Sequence, residues 1–128
     1  MASLDQQLKN ELDLKKLNIP ADYKYFLNLL ISSMQNDNRI ENVFLFGSCA
    51  REVVKKYSDI DLAIITKEQL SIKEEMSFYD YLMDIDVKDY IPCDMIVMSK
   101  KQFESKRESA FYVQKYIGTE GVELLESL

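Results

Sequence analysis

Three short apolar runs constrain this chain more than any other feature. Asn42-Val43-Phe44-Leu45-Phe46 stops at Gly47, Ile60-Asp61-Leu62-Ala63-Ile64-Ile65 follows Ser58-Asp59, and Pro92-Cys93-Asp94-Met95-Ile96-Val97-Met98 leads into Ser99. Runs of this length suit buried strands better than helices. Only 3 Gly and 2 Pro punctuate the 128 residues, so elements are few and connections short. No internal repeat or low-complexity tract breaks the pattern.

The segments between the runs carry helical spacing. From Ser3 to Leu17, Leu4, Leu8 and Leu12 share one face, and Pro20 ends that segment; residues 1–20 therefore read as an N-terminal arm or helix. Ala21 to about Asn38 is an amphipathic helix in which Tyr25, Leu29 and Ser32 line one face, with Phe26, Leu30 and Met34 beside them. Ser48 is expected to cap a short helix through Cys49–Val54. Lys67 to about Val87 reads as one long helix, with Ile72, Met76, Tyr79 and Met83 spaced four, three and four apart. Such a stripe is more often core than a partner surface. A helical tail continues from Ser99, with Phe103, Phe111, Tyr112, Tyr116 and Ile117 preceding Gly118 and Gly121. The order α-β-α-β-α-β-α predicts an α/β or α+β fold, a small mixed sheet flanked by helices, in one domain over 21–128.

Composition closes off much chemistry. There is no His, which excludes a Ser-His-Asp triad, a Cys-His pair and His-ligated zinc. Cys49 and Cys93 are too few and too far apart for a zinc site and do not mark a disulfide scaffold. With 16 Lys+Arg against 22 Asp+Glu the net charge is −6, which argues against nucleic acid as a partner because Lys and Arg are also scattered along the chain. The N-terminus lacks the apolar stretch of a signal peptide, and no run is long enough to cross a bilayer, so a cytoplasmic protein with reduced thiols and no membrane partner is expected.

Three features lie at strand ends. Gly47-Ser48 stands between a strand and a helix start, where a backbone can approach an anion closely; a capped turn is the plainer reading. Asp59-Ile60-Asp61 opens the second run with two carboxylates two residues apart, hence on one face. The pair suits Mg²⁺, which takes one or two carboxylates plus phosphates and water, and equally suits a solvated strand end. Asp94 opens the third run. It solvates that strand's end or, if strands two and three are neighbours, completes a cluster with Asp59 and Asp61.

Taken together, Gly47-Ser48, ten residues and Asp59-Ile60-Asp61 form a GS-x10-DxD pattern. The stretch FGSCAREVVKKYSDIDLAII resembles the minimal nucleotidyltransferases of the polymerase-beta-type nucleotidyltransferase superfamily, whose usual form is FGSxARGxxxxxSDIDLxV. Asp94 matches the third carboxylate of that family, and the tail FYVQKYIGTEGVELLE resembles its closing "EGxxLYE" segment. The resemblance covers about Val43 to Glu126 and leaves the N-terminal arm unassigned. One departure stands out: Glu52 replaces the usual glycine after Arg51. Glu52 is expected to let the short helix run on into Val53-Val54, and it adds negative charge near the site.

The resemblance implies a polymerase-beta-type nucleotidyltransferase domain over 21–128. It implies that Gly47, Ser48 and Arg51 bind the phosphates of ATP or another NTP, with solvated surface Arg as an equal reading of Arg51. Asp59, Asp61 and Asp94 would act as the catalytic and metal-binding residues, with Mg²⁺ as cofactor. A nucleoside monophosphate would pass to an acceptor hydroxyl with release of pyrophosphate, which needs no His. A stand-alone domain of this size is similar to the antitoxins of toxin–antitoxin modules, whose all-helical HEPN-type partner is modified on tyrosine. The alternative is a catalytically weak or silent binding protein of the same fold. Association with further copies of the chain is left open. Cys49 and Cys93 read as small packing residues.

Overall fold

The run Ile60–Thr66 is apolar on both sides after Asp61, and it lies inside the sheet with both faces covered. The computed structural model describes residues 17–52, 54, 58–85, 91–106, 117 and 121–126. In it β1 (Ile40–Phe46), β2 (Ile60–Thr66), β3 (Cys93–Ser99) and β4 (Val122–Glu126) are ordered β3-β2-β1-β4. β1 pairs antiparallel with β2 and β4, and β2 pairs parallel with β3, so the sheet is mixed as expected. The parallel pair needs a crossover, and the helical segment between Ile72 and Met83 supplies it.

β4 is a correction. The expected order closes on a helical tail that precedes Gly118 and Gly121 and has no strand after it, yet Val122–Glu126 pairs with β1, burying Leu124 and Leu125. Phe111, Tyr112 and Tyr116 lie outside the described residues, as does the proposed helix over Ser3–Leu17 apart from Leu17, which is buried. Pro20 stands at the N-terminal boundary of the following helix, its carbonyl accepting the Lys24 N–H at 3.1 Å.

Two apolar clusters sandwich the sheet. On one face, α1 (Ala21–Met34) lays Tyr23, Phe26, Leu27, Leu30, Ile31 and Met34 against Val43, Leu45, Leu62 and Ile64. The buried stripe therefore runs through Phe26, Leu30 and Met34, while Tyr25 and Ser32 are exposed and Leu29 is half-buried. On the other face, Phe103 of α5 (Lys100–Lys106) packs with Ala63, Ile65, Met98 and Ile117 and stacks on Phe44. Ser99 and Gln102 start α5 reciprocally: the Gln102 N–H donates to Ser99 Oγ at 3.1 Å, and the Ser99 N–H to Gln102 Oε1 at 3.0 Å.

The crossover departs most from expectation. Instead of one long helix it is α3 (Ile72–Met76), a 3₁₀ turn (Ser77–Tyr79) and α4 (Asp80–Met83). Ser71 and Glu74 form a capping box that fixes its start at Ile72. Phe78 is the side chain it buries completely, with Tyr81, Leu82 and Ile85 packed against the same cluster. Ile72, Met76, Tyr79 and Met83, expected as core, are exposed. At the far end of β1 from Gly47, the Arg39 guanidinium holds this segment in place. It binds Asp37 through Nε (2.9 Å) and Nη2 (2.6 Å), donates to Ser77 Oγ at 3.0 Å and covers the Phe78 ring at 4.3 Å. The Tyr81 hydroxyl closes the network on Asp37 Oδ2 at 2.7 Å.

Candidate functional site

β1 ends at Phe46 opposite Asp61 of β2, and Asp61 in turn sits opposite Asp94 of β3. The register alone thus carries Gly47, Asp61 and Asp94 to one end of the sheet. Side chains alternate along a strand, so Asp61 and Asp94 share the face of Ala63, Ile65 and Met98, at that face's end. Asp59 precedes β2 and is exposed, while Ile60 between the two carboxylates turns inward and is fully buried.

Gly47 is bound to this arrangement by two constraints. Its φ is +73°, a left-handed conformation that L side chains rarely adopt. A Cβ there would also strike the Asp61 carboxylate, lying 3.2 Å from Cγ and closer still to Oδ2. The glycine backbone is therefore pressed directly against a carboxylate. α2 (Gly47–Ala50) follows at once, with Phe46 rather than Ser48 at its N-cap and no side-chain cap, because the helix starts two residues earlier than expected.

α2 ends at Ala50, short of the expected run-on to Val54, and Val53 lies outside the described residues. The Arg51 N–H reaches the Gly47 carbonyl and the Glu52 N–H the Cys49 carbonyl, after which Glu52 takes φ +60°. That left-handed residue stops the helix, which gives the usual glycine at this position a physical reason. Glu52 keeps the turn and bears its steric cost.

Electrostatics single out Asp61. Burial raises its pKa above the ordinary carboxylate value, the charges of Asp94 and then Asp59 raise it further, and Arg51 partly offsets them. Exposed Arg51 is thus close enough for its charge to act on the site. Among the described residues no three acidic or thiol groups stand close enough to enclose a metal ion by themselves. Asp59, Asp61 and Asp94 act on one another electrostatically without forming the closed cluster that the sequence allowed. The donor set nevertheless fits a hard divalent cation: carboxylates close enough to act on Asp61, one of them against the glycine backbone that opens α2.

Two residues that sequence reasoning did not assign to the site hold the approach to β2. The Tyr23 hydroxyl of α1 donates to the Ser58 carbonyl at 2.7 Å, and the Cys49 thiol donates to the Asp59 carbonyl at 3.6 Å. The Ile60 N–H adds a bond to the Pro92 carbonyl at 2.8 Å. No local signal marks Tyr23, which is 35 residues from its partner. Burial, followed by Asp61, pushes the Cys49 thiol up to about 11, and burial, followed by Asp94, pushes Cys93 up to about 12. Both are thiols rather than thiolates at neutral pH, consistent with their packing role.

The family model for polymerase beta nucleotidyltransferases matches residues 28–119, well over half of the chain. The chain belongs to that family. It is accordingly a nucleotidyltransferase, and its mixed sheet with helices on both faces is the polymerase-beta-type fold. None of the curated proteins matches the sequence significantly. Among solved structures, the chain is similar to the toxin–antitoxin MntA–HpeT, crystallised as an Asp-to-Glu mutant, with 17% identity, TM-score 0.54, and 79% of this chain and 73% of that one covered. It is also similar to a toxin–antitoxin crystallised with AMP-PNP, with 19% identity, TM-score 0.52, and coverage of 77% and 72%. At such identities the likeness is one of fold. Among the described residues of this nucleotidyltransferase, no helix is long and apolar enough to cross a membrane.

Proposed function

We propose that this nucleotidyltransferase transfers a nucleoside monophosphate, AMP from ATP first among the candidates, to a hydroxyl of a partner protein in a Mg²⁺-dependent reaction. The observation that carries the reading is the convergence of a side-chain-free backbone at Gly47 with Asp61 and its strand neighbour Asp94. Asp59, Asp61 and Asp94 would hold the metal, with the remaining coordination coming from phosphate oxygens and water. Bound Mg²⁺ would neutralise charge on the phosphates and on the carboxylates that face them.

The chain's own residues have distinct tasks in this reading. Gly47 lets the backbone approach the triphosphate, Ser48 donates its hydroxyl, and Arg51 supplies a countercharge on the same side as Asp61. Asp94 stands next to the acceptor hydroxyl and favours loss of its proton. The acceptor oxygen then bonds to the α-phosphorus as the bond to pyrophosphate breaks.

A partner protein is favoured as acceptor because two of the solved structures similar to the chain are toxin–antitoxin structures, one of them holding AMP-PNP. An all-helical HEPN-type toxin modified on tyrosine, in the cytoplasm, is the specific form of this proposal. A catalytically silent partner-binding protein is the second reading, favoured by Glu52, an acid at the turn that follows Arg51. Calorimetric titration with ATP, GTP, CTP and UTP, in Mg²⁺ and then in EDTA, tests the first reading. Mg²⁺-dependent binding that disappears in Asp59→Asn/Asp61→Asn is expected. Binding of no nucleotide, with partner binding that survives loss of all three Asp residues, would establish the second reading instead.

A further inference from the structure

Five large hydrophobic side chains are exposed among the described residues, and four of them belong to the crossover segment. Ile72, Met76, Tyr79 and Met83 are 76%, 64%, 41% and 83% exposed. Their spacing of four, three and four places them on one helical face, opposite the inward side that buries Phe78. Scattered apolar residues on a surface are ordinary, whereas a continuous ridge is not. The fifth, Tyr25, lies apart from the ridge, bordering a groove of about 330 Å³ between α1 and the inward side of the crossover with Leu29, Tyr81, Asp84 and Ile85.

The ridge is held in place. Its capping box fixes one end, and the Tyr79 hydroxyl bonds the edge of β3, donating to the Met95 carbonyl at 3.1 Å and accepting the Met95 N–H at 3.4 Å. β3 is the sheet's edge strand and also carries Asp94. Acidic side chains outnumber basic ones around the ridge: Glu74, Glu75, Asp80 and Asp84 stand against Lys73, while Arg39 behind the segment is already bound to Asp37. A second copy of this chain would bring acid against acid. A membrane surface rich in anionic lipid would be repelled in the same way.

We propose that this ridge docks an amphipathic helix of a partner protein whose apolar stripe is flanked by Lys and Arg. The stripe would fill the spaces between Ile72, Met76, Tyr79 and Met83, and the flanking cations would meet Glu75, Asp80 and Asp84. Docking along β3 brings the partner to the edge that bears Asp94; this last clause alone rests on the nucleotidyl-transfer reading.

The test uses the full chain and fluorescent synthetic helices of about 18 residues with Leu at i, i+4, i+7 and i+11, flanked either by Lys or by Glu. In anisotropy titrations the Lys-flanked helix should bind, and the Glu-flanked one about tenfold or more weakly. Met76→Ser/Met83→Ser should weaken the Lys-flanked complex about tenfold, with an unchanged circular dichroism spectrum. Asp80→Lys/Asp84→Lys should reverse the preference between the two helices. Binding of neither helix, equal binding of both, or affinities indifferent to these substitutions would overturn the proposal. So would a dimer of the chain alone in sedimentation equilibrium that Met83→Ser dissociates, because a second copy would then be the occupant. Calorimetry with MgATP on the Met76→Ser/Met83→Ser variant keeps the two readings apart, since nucleotide binding there depends on the carboxylate site alone.

Discussion

Glu52 shows how a single residue can keep a backbone conformation it does not favour. The turn after α2 needs a left-handed residue, and a side chain in that conformation costs roughly 1–2 kcal/mol, part of which glycine gives back in unfolded-state entropy. Glu52→Gly should therefore stabilise the domain by about 1 kcal/mol and raise its thermal midpoint by roughly 3–5 °C. A midpoint that stays level or falls would mean that the carboxylate makes a compensating contact. Asp61 presents the opposite case, a residue whose charge works against the fold. Burial and the neighbouring carboxylates make it hold its proton to higher pH than a free side chain does. The folded chain then binds more protons than the unfolded one above the ordinary value of 3.8, and stability falls as pH rises through the shifted pKa. At pH 7 without divalent cations, Asp61→Asn should melt a few degrees higher than the parent chain, with the gap narrowing toward pH 4. Mg²⁺ should stabilise the parent and not the variant. A lower midpoint for Asp61→Asn at pH 7 would contradict this account of the site's electrostatics.

The elements divide into those that a pattern specifies and those that tertiary packing decides. β1, β2 and β3 were legible because an apolar run ending in Gly or opening with Asp has few alternatives as a buried strand. The Gly47, Asp61 and Asp94 constellation was legible through its spacing, since register does the rest. The crossover was not. Its sequence holds two helical stripes, Ile72-Met76-Tyr79-Met83 and the one through Phe78, Tyr81, Leu82 and Ile85, and periodicity cannot tell which faces inward. The Arg39–Asp37–Tyr81 network, with Arg39 over the Phe78 ring, accompanies the second choice. β4 was missed for a related reason: five residues following two glycines carry too little pattern to reveal a strand that exists by pairing with β1. Asp37 ties the crossover to β1. Burial opposes its ionisation, but the bonds from Arg39 and Tyr81 together outweigh that and hold its pKa below 3.8. Its contribution is therefore present above that value and disappears as the pH falls through the depressed pKa. Asp37→Asn should cost about 2 kcal/mol at pH 7, and urea midpoints of parent and variant should converge in strong acid. A constant difference across that range would show that the network acts through packing rather than charge.

At the scale of the molecule, the site is formed between layers rather than within one element. Gly47 and α2 follow β1, Asp61 and Asp94 come from adjacent strands, and the chain entering β2 is held by α1, which packs on the opposite face from α5. That last link is the Tyr23 hydroxyl, 2.7 Å from the Ser58 carbonyl, on a side chain only 7% exposed. The bond acts on the residue before Asp59, so α1 reaches a metal-binding candidate through the backbone that precedes it. Tyr23→Phe keeps the ring and its packing and removes only this bond, at a cost of about 1 kcal/mol. If the layers act together, MgATP affinity in calorimetry should fall several-fold while the circular dichroism spectrum is retained. Ser33→Ala removes a hydroxyl from the same helix that bonds only its own turn, at Leu30, and should leave the affinity unchanged. A Tyr23→Phe variant that loses thermal stability yet binds MgATP as tightly as the parent would confine Tyr23 to holding the core together. Loss of affinity in both variants would place the effect in α1 as a whole. Loss in Tyr23→Phe alone would mean that one hydrogen bond between layers sets the geometry of the acidic end of β2.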